Sequence, residues 1–244
     1  MAFPNALPHG DIRSIFPGIW LVTGTVSMPG PLPVRFSRNM TIVRQGERLV
    51  LINSVRLDDA GLAKLDALGK VTDVMRMAGF HGMDDPFYKD RYGAKVWTVR
   101  GQKYAAGFDR KGTARPYFEA DAPMDATTPL PISAASLFVF GSNPPEGILV
   151  LDREGGILVT GDSLQNWSPP DEYFSGPTKV MMRLMGFIKP HNVGPAWFNN
   201  GKPPRSDMRA ILDLKFDHVL PSHGFPVIGG AKDKYRPAID RVTA

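Results

Sequence analysis

Apolar residues alternate with small or polar ones across GIWLVTGTV (18–26), the period of a half-buried strand. The run NMTIVRQGERLVLINSV (39–55) breaks at Gln45-Gly46-Glu47 and predicts two strands closed into a hairpin. In LDDAGLAKLDALG (57–69) the period changes. Leu57, Leu62, Leu65 and Leu68 recur near helical spacing, Asp58 or Asp59 suits the N-cap, and Gly69 suits the stop. VTDVMRM (71–77) predicts the next strand. A short helix follows over 84–93, with Asp85 as its cap, Pro86 in its first turn and Gly93 at its end, and AKVWTV (94–99) is again a strand.

Beyond a polar, glycine-bearing excursion to about residue 131, strands are predicted over 136–141, 147–152 and 156–162, the last two meeting at Glu154-Gly155-Gly156. Helices are predicted over the Met-rich SGPTKVMMRLMGFIK (175–189), over SDMRAILDLKF (206–216) capped by Ser206, and over 230–242, with a strand and turn at HVLPSHG (218–224). Two strand-rich halves, each followed by helices, imply two packed sheets with helices outside. No linker or short repeat interrupts the chain, so residues 1–244 are expected to form one domain.

Composition narrows the chemistry. Twenty-five glycines and twenty-three prolines suit a loop-rich α/β protein. The absence of cysteine excludes disulfides, thiolate metal sites and a cysteine nucleophile, so any metal needs His, Asp, Glu or backbone oxygen. No stretch approaches the ~20 apolar residues of a membrane span, and the first residues lack the order of a secretory signal. A cytoplasmic location is the expectation. The net charge is +5, with a basic cluster at Arg100, Lys103, Arg110, Lys111 and Arg115 interleaved by Tyr104, Phe108 and Tyr117. No nucleic-acid recognition motif accompanies it, so a solvated loop with aromatic anchors is expected and no nucleic-acid partner.

Of the five histidines, His9 lies near the start and His218 on an apolar strand, where a structural role is expected. His191 sits in IKPHNVGPAW as a structural or site-lining residue. His81 and His223 end apolar strands in small-residue turns, FHG and SHG, and GILVTGD puts Asp162 at a strand end too. Sheets deliver functional side chains at such ends.

In this order the pieces resemble the metallo-β-lactamase superfamily, over most of the chain. The resemblance implies an α/β fold (α+β in some schemes), a four-layer αββα sandwich whose strand-end loops converge on one or two metals. ILVTGDSL gives Asp162 the place of the metal-bridging carboxylate, and VLPSHGFP gives His223 the place of the last histidine ligand. Elsewhere the chain departs from the family's pattern. The hairpin ends LVLIN, with Asn53 for an aspartate; GFHGMD stands where the family has His-x-His-x-Asp-His; and GSNPPEG puts Ser142 where a turn histidine belongs. In one register Gly79, His81, Met83 and Asp84 take the loop's ligand positions. In a second, His81 is the first histidine and Asp85 takes the aspartate. Both imply at most one metal, in a reduced site.

The resemblance therefore implies His81, Asp84, Asp162 and His223 as ligands of one divalent ion, Zn, Mn or Fe, with Asp85 as general base or support. Ser142 and His191 would line the substrate site. The activity implied is metal-assisted hydrolysis of a small molecule, though not of β-lactams. The alternative is a silent binding or scaffold protein on the same fold, holding no metal. Without one, Asp84, Asp85 and Asp162 would repel one another unless a Lys or Arg stood nearby. The segment 178–188 reads as a packed or dimer-forming helix, or else as an apolar lid or a membrane or partner surface.

Overall fold

A computed structural model describes residues 3–28, 34–105 and 115–244. Strands β1 (Arg13–Phe16), β2 (Ile19–Met28), β3 (Val34–Gln45) and β4 (Arg48–Ile52) form an antiparallel meander, and β5 (Lys70–Arg76), β6 (Lys95–Val99) and β7 (Ala122–Met124) extend it in parallel. Helix α1 (Asp59–Leu68) connects β4 to β5, and α2 (Asp85–Tyr92) connects β5 to β6. A second sheet contains β8 (Ala135–Phe140), β9 (Glu146–Leu151), β10 (Ile157–Val159) and, parallel to β10, the later strand β13 (His218–Leu220). Between these come the small pair β11 (Leu164–Gln165) and β12 (Asn192–Val193), with α3 (Gly176–Leu184) in the connection. Helices α4 (Pro195–Gly201) and α5 (Arg205–Ala210) precede β13 (His218–Leu220), and α6 (Ala231–Thr243) closes the chain.

The period-2 alternation decides which face each side chain serves. On β4, Val50 and Ile52 point between the sheets, where they meet Met75, Leu149, Leu151, Ile157, Val159 and Leu220. Their neighbours Leu49 and Leu51 point outward, onto Leu62 and Leu65 of α1 and Phe87 and Tyr88 of α2. The second sheet does the same: Leu158 and Val219 turn outward onto Trp197, Met208, Tyr235 and Ile239. Strands apolar on both faces thus become the inner layers of an αββα sandwich, the architecture expected.

The structure corrects several details. Asp84, not Asp85, is the N-cap of α2, and its carboxylate makes no capping bond because it is bound to Arg38 and to the Arg56 N–H. The helix expected over 206–216 begins at Arg205 after Pro203 and Pro204. It tightens into a 3-10 turn at Ile211–Asp213, and the Ser206 hydroxyl lies on Asp207 instead of capping. The strand expected over 156–162 stops at Val159, so Asp162 stands on a bend. Strands β1 and β7, the β11–β12 pair and helix α4 are too short to show a period.

Four strand ends meet at one side chain. Asn53 follows β4 with φ of 55°, a left-handed conformation that asparagine tolerates better than most residues. It is buried. Its amide nitrogen donates to the Thr160 carbonyl beyond β10 (3.1 Å) and to the Ser222 hydroxyl beyond β13 (2.7 Å), while its oxygen accepts from the Met77 N–H beyond β5 (2.9 Å). Asn53 bolts one sheet to the other where the site forms. Asn53→Ala should lower unfolding stability by about 2–4 kcal/mol in urea titration, because it strands several buried partners at once. A loss under about 0.5 kcal/mol would remove this role.

Candidate metal centre

Each loop that carries a candidate ligand starts where a strand runs out. Beyond β5, Arg76 is buried and spends its guanidinium on the carbonyls of Ala78, Gly79 and Lys103, folding the loop that carries His81. Beyond β10, the Gly161 backbone closes against Ala78, leaving no room for a side chain there. Beyond β13, Gly224 takes φ of 91°, and a Cβ there would lie 2.1 Å from the Asn166 carbonyl oxygen. The Asn166 N–H in turn donates to the His223 carbonyl at 2.9 Å.

These turns bring three ligand atoms together. His81 Nε2 lies 3.0 Å from His223 Nε2, and Asp162 Oδ1 lies 2.9 Å from His223 Nε2 and 3.3 Å from His81 Nε2. Among the described residues this is the one cluster of three or more His, Asp or Glu ligand atoms. Its edges suit a metal, since bonds of about 2.0–2.1 Å in a tetrahedral site set ligand atoms about 3.3 Å apart. The His223 Nδ1–H donates to the Ser37 carbonyl at 3.0 Å, which leaves Nε2 facing Asp162, the outer support that metal-binding imidazoles use. Phe36 and Trp167 pack their rings on His223, with centroids 5.8 and 4.8 Å away. His81 Nδ1 is buried without a hydrogen-bond partner among the described residues.

The electrostatics follow from this packing. Burial alone would raise Asp162, but the charges of His81 and the hydrogen bonds from both imidazoles overcome it and hold the carboxyl below its usual range. Burial lowers His81 against the pull of Asp162.

The remaining candidates are placed elsewhere. Asp84 is outside the cluster, tied to Arg38 and the Arg56 N–H. Asp85 is fully buried and accepts from the Ser54 hydroxyl and the Tyr104 phenol, with Arg76 nearby. The Ser142 hydroxyl donates to the Pro144 carbonyl at 2.9 Å. His191 stacks edge-on to Tyr235 and donates its backbone N–H to Asn166, one residue removed from His223. His9 and His218 are structural. His218 Nδ1 accepts from the Gly229 N–H and Nε2 donates to the Glu154 carbonyl, while His9 accepts from the Asp58 N–H. In the basic cluster, Arg100 pairs with Asp125 and Tyr104 is buried; Phe108, Arg110 and Lys111 lie outside the described residues.

Arg38 and Glu146 escaped the sequence. Arg38 is one alternating position on β3 with nothing to mark it. Glu146 opens β9 fully buried, its Oε1 accepting from the Ser163 N–H at 2.6 Å. Burial and the Asp162 charge push its carboxyl well up, behind the site.

No model of a known protein family matches the chain, and no curated protein matches it. Solved structures do. The mono-zinc form of the metallo-β-lactamase FIM-1 from Pseudomonas aeruginosa superposes with a TM-score of 0.61 at 14% identity, covering 99% of both chains. The DIM-1 metallo-β-lactamase gives 0.63 at 11%, over 96% of this chain and 100% of that one. A metallo-β-lactamase from Hirschia baltica gives 0.59 at 13%, over 94% and 97%. The chain has the metallo-β-lactamase fold.

Burial raises Asp85 above 3.8, with Ser54 and Tyr104 opposing. Between 3.8 and the raised value, the native state keeps a proton that the unfolded chain has released. Stability due to this group therefore falls as pH rises through that window. Asp85→Asn removes the titration. Urea midpoints taken from pH 4 upward should show wild type losing ground to the variant; wild type gaining on the variant as pH rises would contradict the shift.

Proposed function

We propose that the protein is a metal-dependent hydrolase with a single-metal centre held by His81, Asp162 and His223. The observation carrying this is the triangle of ligand atoms 2.9–3.3 Å apart, with one imidazole already oriented by Ser37. With Asp84 held by Arg38, the set is two imidazoles and one carboxylate. Catalytic zinc sites use three protein ligands of this kind, and ferrous facial triads use the same residues. When bound, a divalent ion supplies a Lewis acid that acidifies water and polarises a carbonyl or phosphoryl oxygen.

The chain's own residues do the rest. Ser37, Phe36 and Trp167 hold the His223 ring. Arg38 neutralises Asp84, and Tyr104 with Ser54 fixes Asp85 as the buried foot of the loop, so Asp85 acts as support in this reading and not as base. Neither Ser142 nor His191 is assigned a substrate contact, because the first turns its hydroxyl inward and the second reaches the cluster only through Asn166.

A metal-free binding protein is the second reading. The observation favouring it is that the imidazoles already bond to each other and to Asp162, so each acid has its own partner.

Protein purified without chelator should carry about one Zn, Mn or Fe per chain by elemental analysis. Asp162→Ala and His223→Ala should lose it, together with hydrolysis of an ester, thioester and phosphodiester panel, while Ser142→Ala keeps the metal. A parent protein that holds no ion and takes up none, with melting temperature unmoved by added metal, would establish the second reading instead.

A further inference from the structure

Helix α3 exposes an apolar face. Thr178 and Met182 are buried, Met182 beside Trp167 and Phe174, while Val180, Met181, Leu184 and Met185 are 62%, 37%, 84% and 58% exposed. These four stand at i, i+1, i+4 and i+5, so they form one stripe along the outer side of the helix. Lone exposed apolar residues are ordinary, but four in six positions on one helix are not.

Charge selects what could cover the stripe. From Tyr173 to Ser206 the sequence holds Lys179, Arg183, Lys189, Lys202 and Arg205 and not one Asp or Glu. The chain's excess of +5 therefore lies wholly within this stretch, and the remainder balances. Lys179 and Arg183 stand on the flank of the apolar stripe, and Lys189 follows the helix. A second copy docked face to face would bring these cations against each other. An anionic bilayer would accept the apolar side chains among its acyl chains and the cations at its headgroups.

We propose that α3 is a membrane-surface docking element, which seats Val180, Met181, Leu184 and Met185 in an anionic bilayer with Lys179, Arg183 and Lys189 on its headgroups. No helix among the described residues is long and apolar enough to cross a membrane, so the contact is peripheral. The stripe lies one layer above the rings that hold His223: Met182 packs with Trp167, Phe174 and Phe36, and both Trp167 and Phe36 touch that imidazole. Docking would therefore set the metal centre close to the lipid surface.

The test is sedimentation of the full chain with vesicles of phosphatidylcholine alone or with one-quarter phosphatidylglycerol, without substrate, so it stands apart from hydrolysis. Wild type should bind the anionic vesicles, release them at high salt, and bind phosphatidylcholine alone at least tenfold more weakly. Leu184→Glu/Met185→Glu and Lys179→Glu/Arg183→Glu should each lower anionic binding about tenfold or more while circular dichroism and melting temperature stay unchanged. Absence of vesicle binding overturns the proposal, as does binding that the α3 variants leave intact. A concentration-dependent dimer by light scattering that Leu184→Glu/Met185→Glu dissolves, with no vesicle binding, overturns it in favour of a second copy.

Discussion

Everything at the candidate centre depends on the ends of strands from two different sheets staying in register with one another. Asn53 enforces that. Its carboxamide is both donor and acceptor, and it connects the residues following β4, β5, β10 and β13 in one buried hydrogen-bond knot. An aspartate there could not donate to the Thr160 carbonyl without carrying a proton. The left-handed backbone at Asn53 is what turns the side chain across the gap between the sheets. The His81, Asp162 and His223 loops then leave from fixed points, and short turns suffice to make their side chains converge.

The negative charges around the centre would be costly without partners, and each has been given its own. Asp162 takes the two imidazoles, Asp84 takes Arg38, Asp85 takes the Ser54 and Tyr104 hydroxyls with Arg76 near, and Glu146 takes the Ser163 N–H. The guanidinium of Arg38 on β3 holds the Asp84 carboxylate and sets a cation beside a largely buried acid.

Helix α3 joins the site to the surface. Its inner residue Met182 supports the aromatic layer that packs on His223, and its outer stripe meets solvent. The same short helix thus sits one aromatic layer from His223 on its inner side and faces solvent on the other.

Much of the fold was legible because strand and helix periods are local. The apolar runs LVLIN and VTDVMRM already read as strands, and the endings FHG, TGD and SHG marked the three strand ends that meet. What sequence could not decide was which charges would pair. Arg38 and Asp84 are 46 residues apart, and His81 and His223 are 142 apart. Nothing local distinguishes an aspartate bound for an arginine from one bound for a metal. Asp84 and Asp85 could be exchanged between the two registers; packing of the two sheets assigned each a different neighbour. The exposed side of α3 was open for the same reason. Periodicity shows that a helix has an apolar side, while only the tertiary structure decides how much of that side the rest of the chain covers.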